Sequence, residues 1–258
     1  MTETSENSSG FRSELRGHVL LLTLDDVAHR NALSRSIVRG FVDTIIRSRS
    51  QGARVIVIAA AGSVFCAGAN VNDLAGGWMA ANDPETDPVT LFQTLAEERR
   101  LVIAAVNGPT LGGGVELTLS CDVVFAEQDA FFCLPEIGLG VVPNTALARL
   151  SGIVGPRKAL EMIVSRRRVK AAEAAEIGLA TQLVSSGEAL SLALDFAEKI
   201  AVEVSPGALR VSKEYINKYE STDWKGVRVS PTEVPHEEWQ EGIRAFSERR
   251  RPDFDRFW

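Results

Sequence analysis

Four short apolar runs place the strongest constraint on how this chain can fold. "RVIVIAA" (54–60) is apolar on both faces. The other three short, largely apolar runs are "HVLLLTL" (18–24), "LVIAAV" (101–106) and "DVVFAE" (122–127). Runs of this length predict β-strands, and strands without alternation belong to a sheet covered on both faces. Between the first two runs, residues 34–50 have the apolar spacing of a helix. This order predicts an α/β layered fold with right-handed crossovers.

Composition divides the chain into three regions. The polar residues 1–12 predict a disordered N-terminus, and 13–195 hold the strand and helix patterns of an α/β core. Residues 196–258 continue a series of segments with helical apolar spacing and predict a helical C-terminal region. Residues 75–90 are rich in Gly, Asn, Asp and Pro, which predicts a mobile loop that faces a substrate.

Bulk properties exclude several classes of function. A formal net charge of -6 argues against nucleic-acid or membrane-surface binding, and no apolar run approaches the ~20 residues that span a bilayer. The N-terminus lacks the pattern of a secretory signal, which predicts a cytoplasmic protein. The three cysteines and three histidines have no metal-ligand spacing, which predicts free thiols in a reducing compartment and no bound metal.

Two glutamates are the first candidates for chemistry. Glu116 follows three glycines in "LGGGVELTLS", and Glu136 lies in "FFCLPEIGLG", both with few charged neighbours. A buried carboxylate is costly unless it is paired or hydrogen-bonded, and burial shifts its pKa. Such groups are found mainly where acid–base chemistry needs them. We therefore interpret both as candidate acid–base residues.

Two glycine-containing turns are candidate binding elements. In "GGGVE", Gly113 precedes Glu116 by about one helical turn, and helical side chains lean toward the N-terminus. The Glu116 carboxylate and the Gly113 N–H should then share one small volume. The alternative is close packing of a helix on the sheet, with Glu116 as a local cap. The earlier turn, "CAGAN" around Gly68, could equally be an ordinary strand-to-helix connection.

These motifs together resemble the crotonase superfamily of enoyl-CoA hydratases and isomerases. The resemblance rests on "FCAGANVNDL", "AAVNGPTLGGGVELTLSCDVVFAE" and "LPEIGLGVVP", supported by "HRNALS" (29–34) and "AFSERRRPDF" (245–254). It covers the chain from about residue 12 to the end. It implies a crotonase-like spiral of ββα units, with a C-terminal helical region that assembles a homotrimer or a homohexamer.

The resemblance also implies roles for individual residues. The N–H groups of Ala69 and Gly113 would form an oxyanion hole for a thioester carbonyl oxygen. Glu116 and Glu136 would hold a water over a 2-enoyl-CoA double bond, and the Asn144 N–H would help to position it. Coenzyme A would enter as part of an acyl-CoA substrate, with no separate cofactor. The implied substrate and CoA contacts are Arg30, Ala32, Cys66, Ala67, Gly68, Ala69, Asn70, Val71, Leu111, Gly112, Gly113 and Arg249.

One segment departs from the family pattern. "PNTALARL" (143–150) stands where hydratases usually carry a glycine-rich stretch, and it is one residue shorter. Asn144 can adopt backbone angles that glycine adopts, so the water contact can be kept. The hydratase interpretation therefore has two alternatives: an enoyl-CoA isomerase or another reaction through a CoA enolate, and an acyl-CoA-binding homologue without catalysis.

Overall fold

A seven-stranded sheet forms the centre of the fold. The computed structural model describes residues 4–8, 10–75, 78, 83–219, 222–224, 227 and 236–254. The strands are β1 (Thr4–Ser8), β2 (Phe11–Arg16), β3 (Val19–Leu24), β4 (Val55–Ala60), β5 (Leu101–Val106), β6 (Thr110–Leu111), β7 (Val123–Glu127), β8 (Phe131–Cys133), β9 (Val169–Lys170) and β10 (Gln182–Val184). The spatial order is β1-β2-β3-β4-β5-β7-β10. The four predicted strands are the adjacent parallel strands β3, β4, β5 and β7.

Helices cover both faces of this sheet, as its apolar strands require. They are α1 (Arg35–Ser48), α2 (Val71–Ala75), α3 (Pro88–Ala96), α4 (Gly113–Leu119), α5 (Asn144–Val154), α6 (Pro156–Ser165), α7 (Ala171–Glu176), α8 (Ala189–Glu203), α9 (Pro206–Tyr219) and α10 (His236–Ser247). On one face, α8 packs its buried alanines against alternate residues such as Val57 and Ile103. The other alternate residues, such as Ile56 and Val102, pack with α1 and α4.

A smaller sheet carries the glycine turns. Its order is β6-β8-β9, and an isolated bridge between Cys66 and Thr110 joins it to the segment that contains Gly68. A second bridge, between Leu33 and Ala69, continues the series. The turns around Gly68 and Gly112 are thereby held side by side, although they are more than forty residues apart in sequence.

The C-terminal helix packs on the turn that holds the second glutamate. Residues Glu136–Leu139 form a 3-10 turn. A Cβ placed on Gly242 of α10 would lie 2.0 Å from the Leu139 carbonyl oxygen, and one placed on Gly140 would lie 3.0 Å from the Glu238 carbonyl oxygen. Backbone therefore meets backbone at this contact, and α10 fixes the position of the turn.

Three predictions about regions differ from the structure in part. Of the residues 1–12 that were predicted to be disordered, 4–8 form β1 and 11–12 begin β2, and the two strands pair in an antiparallel manner at one edge of the main sheet; residues 1–3 and 9 lie outside the described residues. The predicted boundary between residues 195 and 196 falls inside α8. Of the predicted loop 75–90, the last three residues begin α3, and residues 76, 77 and 79–82 lie outside the described residues. Within the described ranges, no helix is both long and apolar enough to cross a membrane.

Candidate active site

Glu116 is held in place by the first turn of another helix. It lies in α4 with 8% of its surface exposed. Its Oε1 accepts backbone hydrogen bonds from Thr145 at 2.7 Å and from Ala146 at 3.2 Å, both near the start of α5. Helix N-termini carry unsatisfied N–H groups and partial positive charge, which stabilise a carboxylate. The segment that departs from the family pattern therefore supplies the contacts that orient Glu116.

Glu136 approaches the same space from the 3-10 turn. Its Oε1 lies 2.6 Å from the position that a Cβ on Gly112 would occupy, so only glycine fits beneath it. Gly112 also has a φ of +53°, a conformation that favours glycine. Within the described part of the chain, both carboxylate oxygens of Glu136 are buried without a hydrogen-bond partner. Unsatisfied buried oxygens of this kind call for a bound water or ligand.

The two carboxyl groups hold protons more tightly than ordinary glutamates. Burial raises the pKa of Glu116, and the two α5 amides oppose that rise. Burial also raises the pKa of Glu136, and the nearby Glu116 charge raises it further. Glu136 has no amide pair that would favour its charged form. When the pair holds one proton, that proton therefore belongs on Glu136 and the negative charge on Glu116.

Two backbone N–H groups face the space beside the glutamates. A Cβ on Gly113 would lie 3.6 Å from the Ala69 nitrogen, and a Cβ on Gly68 would lie 3.4 Å from the Gly113 nitrogen. Among the hydrogen bonds of the described residues, neither the Ala69 N–H nor the Gly113 N–H has an acceptor. Two free donors this close together can bind one oxygen atom. A carbonyl held there would gain stabilisation as negative charge develops on its oxygen.

A cavity of about 980 Å³ joins these groups. Its walls include both glutamates and both N–H donors, together with most of the predicted substrate contacts: Arg30, Ala32, Ala67, Gly68, Asn70, Val71, Leu111 and Gly112. Phe92 adds an apolar wall. Within the described residues, no group of three or more His, Cys, Asp or Glu side chains is arranged to hold a metal ion.

Three predicted contacts are placed outside the walls of this cavity. Cys66 is fully buried, its Sγ lies 3.1 Å from where a Cβ on Gly114 would be, and burial raises its thiol pKa to about 12. Asn144 is the buried first residue of α5, next to the two amides that bind Glu116. Arg249 is exposed just beyond the end of α10. In this single chain, Cys66 and Arg249 therefore have no contact with the cavity.

Asn70 has a structural role beside its place on the cavity wall. Its Oδ1 accepts the backbone N–H groups of Asn72 at 2.9 Å and Asp73 at 3.4 Å, in the first turn of α2. Asparagine is a favoured residue at this kind of helix start. The sequence prediction included neither this cap nor the α5 amides on Glu116. The cap is local, and an asparagine just before a helix is the signal that could have found it. The α5 amides lie about thirty residues from Glu116 in sequence, so that contact depends on tertiary packing.

The fold and the site define a class of protein: an α/β enzyme that pairs two buried carboxyl groups with two backbone N–H donors in one apolar cavity. The chain belongs to the enoyl-CoA hydratase/isomerase family, whose pattern it matches over residues 14–256. The predicted crotonase membership and α/β fold class are therefore confirmed.

Individual relatives match over nearly the full chain. The chain is 35% identical to the 2,3-dehydroadipyl-CoA hydratase of Escherichia coli (strain K12), over 92% of this chain and 94% of that protein. It is 32% identical to the short-chain-enoyl-CoA hydratase of Clostridium acetobutylicum, again over 92% of this chain and 94% of that protein. Among solved structures, carnitinyl-CoA hydratase from Mycobacterium avium has a TM-score of 0.85 at 30% identity, covering 96% and 98% of the two chains.

Proposed function

We propose that this chain catalyses the addition of water across the 2,3 double bond of a 2-enoyl-CoA thioester. The observation that carries the proposal is the convergence of Glu116, Glu136 and the N–H groups of Ala69 and Gly113 on one cavity. The relatives that are named as hydratases support the same reaction. No cofactor beyond the CoA of the substrate is needed, because each step uses a carboxyl group or an amide.

The reaction can be written with these groups alone. The thioester carbonyl oxygen accepts hydrogen bonds from Ala69 and Gly113, which withdraws electrons from the β-carbon. The charged Glu116 takes a proton from water as the water oxygen bonds to that carbon, and the enolate oxygen is stabilised by the two amides. Glu136 then gives its proton to the α-carbon. The new hydroxyl and the new C–H account for one water, and proton return from Glu116 to Glu136 restores the site.

The division of labour between the glutamates follows from their surroundings. Two amides stabilise the charged form of Glu116, whereas the unpartnered oxygens of Glu136 favour its protonated form. A base that is charged and an acid that is protonated are the states which hydration requires. General acid–base groups of this kind contribute about 10²–10⁴-fold in rate. We also propose that the Asn144 N–H helps to position the attacking water.

Assembly and location are part of the proposal. Large apolar side chains are exposed on two helices, including Leu160 on α6 and Tyr215 and Ile216 on α9. These surfaces support a homotrimer or homohexamer, in which a second subunit could bring Arg249 to the CoA. The free thiols Cys66, Cys121 and Cys133 support a reducing compartment such as the cytoplasm. Light scattering after gel filtration would test the assembly.

The direct test of function is turnover of crotonyl-CoA, followed by loss of absorbance of the conjugated thioester. We expect hydration to 3-hydroxybutyryl-CoA. Product analysis with a 3-enoyl-CoA separates hydration from double-bond isomerisation. CoA thioesters that bind without any turnover would contradict the proposal and favour the non-catalytic alternative.

A variant tests the role of the N–H groups of Ala69 and Gly113. Gly113→Ala places a methyl group 3.6 Å from the Ala69 nitrogen, where the carbonyl oxygen has to enter, while its other contacts are of ordinary length. The fold should therefore persist while turnover falls by about 10²–10³-fold, the effect of losing one oxyanion donor. Unchanged turnover would argue against an oxyanion site at Gly113.

A further inference from the structure

Two cations besides Arg30 line the cavity without a use in the mechanism above. Arg166 and Arg168 both contribute to the wall that contains Glu136. Between them, Arg167 forms ion pairs with Glu161 and Glu173. Within the described residues, Arg166 and Arg168 have no acidic partner; the Arg168 guanidinium lies 4.6 Å from the centroid of the Phe131 ring. This arrangement separates one structural arginine from two that remain available to a ligand.

Arg166 ends α6, and its guanidinium lies against Gly138. Arg166 follows α6 with a φ of +53°, a conformation that glycine adopts more readily than arginine. Its Nη1 lies 2.1 Å from the position that a Cβ on Gly138 would take. Any larger residue at position 138 would displace the guanidinium. Arg166 is exposed overall, and its guanidinium lies against Gly138 on the cavity wall, where a ligand can reach it.

Arg166 lies on the same part of the cavity wall as Glu136. Gly138 is two residues from Glu136, so their Cα atoms are at most about 7.6 Å apart. Arg30 lies across the cavity, because its carbonyl accepts the Ala67 N–H at the opposite side of the smaller sheet. Both cations line the same cavity as the two glutamates. A thioester that directs its nucleotide toward Arg30 would direct its acyl chain toward Arg166.

We propose that Arg166, with Arg168 beside it, binds an anionic oxygen group of the substrate, and that a carboxylate at the far end of the acyl chain is the group favoured by this placement. Guanidinium groups bind carboxylates and phosphates through paired, charge-assisted hydrogen bonds. A phosphate of CoA presents the same chemistry. The proposal rests on the proposed function for the direction of the acyl chain, and it names the substrate class as enoyl-CoA thioesters with an acidic acyl end.

Binding of unreactive thioesters tests this proposal separately from turnover. Adipyl-CoA and hexanoyl-CoA have acyl chains of equal length, lack the double bond and differ in the terminal carboxylate. We expect calorimetry to show tighter binding of adipyl-CoA. Arg166→Gly, which suits the positive φ, should weaken adipyl-CoA binding by about 10- to 100-fold, the range for one charge-assisted hydrogen bond. Arg166→Lys should restore part of the affinity.

Matched controls distinguish the possible sources of the anion. Arg157→Gly removes an exposed charge at the other end of α6, outside the cavity walls, and should change neither affinity. If Arg166→Gly weakens adipyl-CoA and hexanoyl-CoA equally but leaves hexanoyl-pantetheine unchanged, the anion is a CoA phosphate. Equal small effects of Arg166→Gly and Arg157→Gly on every ligand would overturn the proposal. Absence of turnover with intact, Arg166-dependent binding would instead contradict only the proposed function.

Discussion

The Oε1 atom of Glu116 accepts the backbone N–H of Thr145 at 2.7 Å, across the contact between α4 and α5. This hydrogen bond joins the helix that begins at the glycine turn to the segment that departs from the family pattern. It orients the carboxylate and stabilises its charge. A second amide, that of Ala146, adds to both effects.

Glu116→Gln should remove the base and leave the fold intact, because the amide oxygen of glutamine can still accept both hydrogen bonds. We expect kcat for crotonyl-CoA to fall by about 10²–10⁴-fold. Thermal unfolding should be little changed. The matched control is Glu127→Gln: Glu127 is also 8% exposed, and its Oε1 accepts the Ala189 N–H near the start of α8, away from the cavity. Similar losses in both variants would contradict a catalytic role for Glu116.

Stability should depend on pH through the same pair. The pKa of each carboxyl is raised above its ordinary value of 4.5, so the folded chain holds protons that the unfolded chain has lost. The free energy of unfolding should therefore fall as pH rises from about 4.5 through the raised values. In a Glu116→Gln, Glu136→Gln double variant this fall should be shallower. Denaturant titrations between pH 5 and about 8 measure it; parallel curves for the two proteins would refute the assignment.

Gly112→Ala should disturb Glu136 directly. The new methyl group would lie 2.6 Å from Glu136 Oε1, and alanine is strained at a φ of +53°. Displacement of a catalytic group by about 1 Å can cost about 10²-fold in rate, which is the loss expected in kcat/KM. Gly152→Ala is the control, because a Cβ there meets no atom within 4 Å and Gly152 lies within α5. That substitution should leave activity unchanged and slightly stabilise the helix.

Gly242→Ala should loosen the C-terminal helix from the active-site turn. Its methyl group would meet the Leu139 carbonyl at 2.0 Å, and backbone atoms cannot rotate away as side chains do. We expect kcat to fall, together with faster amide hydrogen exchange over residues 236–254. Gly207→Ala in α9 adds the same methyl group to open space and should change neither quantity. Normal exchange in Gly242→Ala would show that α10 does not depend on this contact.

The sequence predicted the centre of the fold well, because its strands are short, apolar and buried on both faces. Val55–Ala60 and Leu101–Val106 lie within the predicted runs. The N-terminal strands were missed because β1 is polar, and its backbone pairing with β2 gives no apolar signal. β6 and β9 have two residues each, too few for any periodicity to be visible.

The part of the candidate site that depends on residues close together in sequence was predictable. The glycine turn placed Glu116 beside the Gly113 N–H, and the cavity has both on its wall. The amides of Thr145 and Ala146 were missed because the local sequence at a helix start does not show which distant side chain its N–H groups will bind. Arg166 and Arg168 were not among the predicted site residues, because a run of three arginines does not reveal which of them finds an acidic partner. That division depends on tertiary packing.

The unpartnered oxygens of Glu136 show how catalytic use limits the stability of this chain. An apolar side chain of similar length would avoid the desolvation of a carboxyl group, so Glu136→Met should raise the melting temperature while abolishing hydration. In the folded chain the Glu136 carboxyl group therefore lowers stability, and hydration is the reaction that requires a carboxyl group at this position.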